Sequence, residues 1–114
     1  MHFHANYVST SVSGDYYQAI FEAEQDSDDL DSPYLLIQRQ FEDLDDESCY
    51  IVTHDQKYCG HFLLRRVDFT PQELSIELDR PRDNFVSVTF TMVATEFAEA
   101  SQVVKIISGE IEPP

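Results

Sequence analysis

The sequence is poor in glycine and has no long apolar run. Three glycines are spread along its 114 residues with no two close together, which excludes phosphate-binding loops and dinucleotide-binding fingerprints. No apolar run approaches the roughly 18–20 residues that a membrane span needs. The first residues carry neither the basic region nor the apolar core of a signal peptide. We therefore expect a cytoplasmic protein, and the length predicts a single domain over residues 1–114.

Basic residues are also scarce. Seven Lys and Arg stand against 22 Asp and Glu, which gives a net charge of −15. Nucleic acid and anionic membranes are poor partners for such a chain, because both bind proteins through clustered cations. A basic protein is the natural partner of an acidic surface, since opposite charges speed the encounter. The alternative is that the charge serves only to keep a small protein soluble.

The acidic residues are concentrated between residues 22 and 47. Eleven acids and one base, Arg39, give this stretch −10 of the net charge of −15. Residues 22–31 (the first acidic segment) and 42–47 (the second acidic segment) flank the apolar run 34–37, so both should border one strand. We predict that they form a partner-binding surface. Its candidate residues are Asp26, Asp28, Asp29, Asp31, Phe41, Glu42, Asp43, Asp45, Asp46 and Glu47.

Three residues beside the acidic segments have predicted roles of their own. Phe41 and Tyr34 lie beside the acidic segments and could be aromatic anchors, because binding hot spots favour aromatic side chains. Packing within the sheet is the alternative role for both rings. Arg39 is expected to tether the two acidic segments by pairing with their carboxylates.

Apolar periodicity predicts strands along most of the chain and a helix at its end. The predicted strands are 7–10, 16–23, 34–38, 49–54, 58–69, 74–78 and 85–92, of which 34–38 should be buried on both faces. Helical spacing of apolar residues follows from Phe97 to Ile107, with Thr95 as the N-cap and Gly109 as the C-cap. The predicted fold class is α+β, a mainly antiparallel sheet of about six or seven strands with one C-terminal helix packed on a face.

Candidate catalytic and metal-binding residues are few. Cys49 and Cys59 could form a disulfide only if the predicted hairpin sets them directly opposite each other, and cytoplasmic cysteines are usually reduced. With His54 and His61 they offer zinc-ligand types, but in none of the usual spacings. Cys59 and His61 could also act as nucleophile and base, although no nucleophile signature or oxyanion loop accompanies them. We predict no catalytic residue, no metal and no cofactor.

The order of motifs in the last two-thirds of the chain is distinctive. An aromatic and apolar run ends in Gln38-Arg39 and is followed by the second acidic segment. The later motifs are 50–52, 58–60, 67–69, the alternating run 74–78, a last strand and the helix. From Tyr34 to Gly109 the chain thereby resembles the tenth immunity-protein family of bacterial polymorphic toxin systems. Two departures are Cys59-Gly60, where two glycines are expected, and the longer loop 80–84.

The resemblance implies a non-catalytic immunity protein that binds and neutralises a cognate toxin inside the producing cell. Such toxins are often nucleases, whose basic active sites hold phosphates, so clustered carboxylates could occupy those sites. The implied partner is a toxin with a basic surface, bound by a monomer or a homodimer. The alternative is a non-catalytic structural or regulatory homodimeric interaction domain, in which an edge strand or the helix pairs with its twin.

Overall fold

A computed structural model describes residues 1–24, 32–42 and 46–114, and these contain nine strands and one helix. The strands are His2–His4 (β1), Tyr7–Ser13 (β2), Tyr16–Glu22 (β3), Tyr34–Gln40 (β4), Cys49–Thr53 (β5), Gly60–Phe62 (β6), Leu64–Phe69 (β7), Glu73–Leu78 (β8) and Phe85–Thr89 (β9). The helix is Ala94–Ser108 (α1). The predicted α+β class is confirmed, whereas the predicted strand count of six or seven is wrong.

The strands form two sheets. The five-stranded sheet has the order β2-β3-β4-β5-β6 and is antiparallel throughout. The four-stranded sheet has the order β1-β9-β8-β7, in which β1 is parallel to β9 and the other pairs are antiparallel. The extra strands arise in two places: β1 lies outside every predicted strand, and the predicted strand 58–69 is divided.

Residues 58–69 are divided between the two sheets and connect them. A 3₁₀ turn, Gln56–Tyr58, follows β5, and Gly60 then has a φ of 137°, a conformation that side-chain-bearing residues rarely adopt. The chain bends there and runs as β6 in the five-stranded sheet. After Leu63 it enters the four-stranded sheet as β7. The predicted strand 58–69 is therefore wrong, because the segment is divided into the end of a 3₁₀ turn and two short strands in different sheets.

The inner faces of both sheets and the helix share one core. Phe21 of β3 is fully buried, and its ring centroid lies 5.7 Å from that of Phe90 and 6.4 Å from that of Phe69. Phe69 in turn contacts Phe97 of α1, with ring centroids 5.1 Å apart. This aromatic cluster therefore joins the five-stranded sheet to the four-stranded sheet and to the helix.

Strand β4 is buried on one face only. Leu35 and Ile37 are fully buried, while Tyr34 and Leu36 on the other face are partly exposed. The prediction that this strand is buried on both faces is wrong, because α1 and the four-stranded sheet both pack on the inner face of the five-stranded sheet. Among the described residues, no element covers the outer face.

The helix follows the predicted stripe but begins differently. The backbone N–H of Phe97 donates to the Val93 carbonyl, which makes Val93 the N-cap and leaves Thr95 inside the first turn. The Thr95 cap is therefore wrong, while Gly109, with a φ of 83°, closes the C-terminus as predicted. In the described part of the chain, no helix is both long and apolar enough to cross a membrane.

Candidate partner-binding face

The two acidic segments are attached to opposite ends of β4. The first connects β3 to β4, and the second connects β4 to β5. Six Cα steps separate Tyr34 from Gln40, so the two ends lie about 20 Å apart. The candidates Asp26, Asp28, Asp29, Asp31, Asp43 and Asp45 lie outside the described residues. A partner that contacts both segments must therefore span the surface between them.

That surface is the outer face of the five-stranded sheet, which we call the tyrosine face. Four of the six tyrosines lie on it, together with glutamines, β-branched residues and one histidine. Its main members are Tyr7, Tyr16, Gln18, Ile20, Tyr34, Leu36, Gln38, Gln40, Tyr50, Val52 and His61. Among the described residues, Glu22 is the one charged side chain on these strands that faces this way.

A cross-strand row organises the middle of the tyrosine face. Gln18, Gln38, Tyr50 and His61 lie directly opposite one another on four neighbouring strands. The hydroxyl of Tyr16 donates to Oε1 of Gln38 over 2.6 Å, and the Gln38 amide donates to Gln18. The rings of Tyr50 and His61 stack with centroids 5.0 Å apart. These contacts hold the polar row in one arrangement before any partner binds.

A depression of about 200 Å³ opens beside this row. Its walls include Tyr16, Tyr50 and His61. Asp46 and Ser48 of the β4–β5 connection also line it, as does Arg39, whose guanidinium donates to the Ile107 carbonyl on the inner side of β4. Aromatic faces attract cations, and a carboxylate pairs with a guanidinium or an ammonium. The depression therefore has the chemistry to receive a Lys or Arg side chain.

Asp46 is held in a defined position at this depression. Its Oδ1 accepts hydrogen bonds from the hydroxyl of Ser48 over 2.6 Å and from the backbone N–H of Ser48 over 2.9 Å. Both bonds favour the ionised form and lower the pKa of the Asp46 carboxyl below its ordinary value. Asp46 therefore carries its full negative charge at neutral pH. Glu42 and Glu47 are also exposed.

The two predicted aromatic anchors have different surroundings. The Phe41 ring makes an edge contact with buried Tyr17, with centroids 5.5 Å apart, and the guanidinium of Arg39 lies 4.7 Å from its centroid. It therefore contributes to packing, and a role in partner binding stays a prediction. Tyr34 lies beside His54, and partial burial raises the pKa of its hydroxyl.

Arg39 lies on the inner side of β4, the side that Leu35 and Ile37 also occupy. Its Nη1 donates to the carbonyl of Ile107 in the last turn of α1 over 3.2 Å. A cation there complements the negative end of the helix dipole. The described contacts of Arg39 thus connect the helix to the five-stranded sheet, and its predicted pairing with the acidic segments stays a prediction.

The described contacts of Cys49, Cys59 and His61 are with other residues and not with one another. Both thiols are free: Cys49 lies beneath the carbonyl of Ile107, where burial raises its pKa to about 11. The Sγ of Cys59 lies 3.3 Å from the backbone N of Thr53, whereas the His61 ring stacks on Tyr50. Residues 1–24, 32–42 and 46–114 bring together no group of three or more metal-ligating side chains.

None of the sequence-based predictions includes the tyrosine face. The signal that could have found it is the alternation of polar and aromatic residues at 16, 18, 38 and 40 in two neighbouring strands. Comparison of the chain with family models, curated proteins and solved structures gives no match. What the protein binds must therefore be inferred from its own charge and geometry.

Proposed function

We propose that this protein is a non-catalytic, acidic immunity protein that binds and neutralises a basic bacterial toxin. One observation carries the proposal: a nearly uncharged, tyrosine-rich face lies between two segments that, with β4, hold −10 of the net charge of −15. Tyrosine is enriched in protein interfaces because its ring buries a large area while its hydroxyl stays hydrogen-bonded. The motif order from Tyr34 to Gly109 supports the same function.

The distribution of basic residues supports a basic partner. Six of the seven Lys and Arg follow residue 56. On the four-stranded sheet, Arg65 pairs with Glu77 and Asp79, and Arg66 pairs with Asp68. Along the described strands no Lys or Arg side chain alternates onto the tyrosine face, and Arg39, which borders the depression, has its guanidinium engaged with the Ile107 carbonyl and the Phe41 ring. A basic toxin would therefore approach this face under attraction, with little repulsion from the protein's own cations.

The parts of the surface would act differently in the complex. The acidic segments speed encounter and fix orientation, since exposed charges change association rates more than dissociation rates. The tyrosines supply the buried contact area, and the depression beside Tyr50 and His61 accepts a basic side chain of the toxin. If the toxin is a nuclease, the carboxylates would take the place of substrate phosphates at its active site.

The test is the salt dependence of a defined complex. The chain and the protein encoded immediately upstream of its gene are purified separately, and their dissociation constant is measured by calorimetry. We expect a one-to-one complex whose dissociation constant rises by about tenfold or more between about 0.1 and 1 M salt, where the Debye length falls from about 10 to 3 Å. The absence of a complex, or an affinity that salt leaves unchanged, would contradict the proposal.

A further inference from the structure

Strand β2 is an exposed sheet edge that lacks the usual protection against pairing. Its seven residues, Tyr7–Ser13, contain no charged residue, no proline and no bulge, and β3 is its one partner among the described strands. The other three edges are different. β1 and β6 have three residues each, and β7 carries Arg65, Arg66 and Asp68 and is bulged after Leu64. Short length, charge and bulges are the devices that prevent edges from pairing.

The sequence of β2 is symmetric about its centre. Residues 8–12 read Val-Ser-Thr-Ser-Val in both directions. If two copies pair antiparallel about Thr10, each Val8 lies opposite a Val12, each Ser9 lies opposite a Ser11, and the two Thr10 residues face each other. Pairs of β-branched residues and of hydroxyl residues stabilise antiparallel ladders. A two-fold axis through Thr10 would make both halves of this interface identical.

The charge of the chain also favours a second copy at this edge. With −15 on each molecule, most modes of self-association bring carboxylates together, which is destabilising. Residues 1–14 contain no Asp, Glu, Lys or Arg, so β2 lies in the longest uncharged stretch of the protein. Two copies that meet here place no charged β2 residue opposite another, although Glu22 and Glu96 lie beside the N-terminal half of the strand.

The packing around β2 leaves room for a second copy. Val12 is 52% exposed although it lies on the same face as buried Tyr17, so it offers apolar surface that Val8 of another copy can cover. The helix α1 lies more over β3 than over β2. In a paired dimer the two β3 strands would be about 14 Å apart, since strands are spaced by about 4.8 Å. That separation exceeds the 8–10 Å or so at which two helices touch.

From these observations we propose that the protein forms a homodimer through antiparallel pairing of β2 with β2 of a second copy, centred on Thr10. The two five-stranded sheets become one ten-stranded sheet, and the two tyrosine faces become continuous across the axis. The inference does not depend on the proposed function, and the effect of salt distinguishes the homodimer from the toxin complex. Salt should weaken the toxin complex but strengthen the homodimer, because it screens the repulsion between two acidic molecules.

The test is sedimentation equilibrium of the full chain over a range of concentrations and at two salt concentrations. We expect the mass to rise from 13.2 kDa towards twice that value with concentration, and to rise further in high salt. The double variant S9K/S11K places Lys opposite Lys at two symmetric positions. It should raise the dimer dissociation constant by about tenfold while leaving the thermal midpoint of the monomer unchanged, because both serines are exposed.

The matched control is S9K/S11E, in which the two-fold axis places Lys opposite Glu. This variant should dimerise at least as well as the wild-type protein. A wild-type protein that stays at 13.2 kDa at every concentration would overturn the proposal. So would two variants that weaken the dimer equally, or a dimer that S9K/S11K leaves intact, since each result would place the interface or its register elsewhere.

Discussion

Reversing three charges in the second acidic segment should slow association with the proposed toxin partner by about 10- to 100-fold in low salt. The variant is D43K/D45K/E47K. Asp46 is left in place because its hydrogen bonds to Ser48 shape the connection into β5, and its loss would change geometry as well as charge. The association rate constant is measured by stopped-flow fluorescence, and the difference from wild type should shrink as salt rises.

The matched control is D68K/E73K/E99K, which changes the net charge by the same amount. These three acids are exposed, and they lie on the four-stranded sheet and α1, which pack on the side of the five-stranded sheet away from the tyrosine face. The control should slow association by much less. Equal slowing by both variants would mean that net charge matters and its position does not. An unchanged rate in D43K/D45K/E47K would exclude this segment as a docking surface.

Replacing Phe21 with Ala should lower the free energy of unfolding by about 3–5 kcal/mol, the usual cost of truncating a buried aromatic residue. Phe21 is 0% exposed and contacts Phe69 and Phe90 across the interface between the sheets. A domain of this size is stable by about 5–15 kcal/mol, so the variant should lose about a fifth or more of its stability. Urea denaturation measures the loss as a lower transition midpoint with an unchanged slope.

Phe85 provides the matched control, because the same substitution there removes a ring that is 60% exposed on the outer face of the four-stranded sheet. F85A should change the free energy of unfolding by less than about 1 kcal/mol. If F21A and F85A lower the free energy of unfolding by the same amount, Phe21 does not occupy a core shared by the two sheets and the helix.

Local patterns in the sequence predicted the elements that depend on local physics. Leu74, Ile76 and Leu78 alternate with polar residues, and all three are buried in β8 as the alternation requires. The apolar stripe of the helix and its C-cap at Gly109 could also be predicted, because residue spacing and a left-handed backbone conformation are local properties. The division of the strands between two sheets could not be predicted, since it depends on which strands pair across long distances in the sequence. The three-residue β1, parallel to β9, is too short to give a pattern.

The same distinction applies to the site. The acidic segments follow from counting charges, and the position of their attachment points follows from the strand between them. The tyrosine face could not be predicted from the sequence, because the apolar run of β4 is the same whether one or both faces of the strand are covered. Tyr34 and Leu36 are partly exposed only because the helix and the second sheet share the opposite face.

Survival of a host cell is the most direct test of the central claim. The protein encoded immediately upstream is induced with no partner, with the wild-type chain, with D43K/D45K/E47K or with D68K/E73K/E99K. We expect the upstream protein to kill alone, the wild-type chain and the control variant to restore growth, and the acidic-segment variant to protect poorly. A harmless upstream protein, or death despite the wild-type chain, would contradict the assignment as an immunity protein.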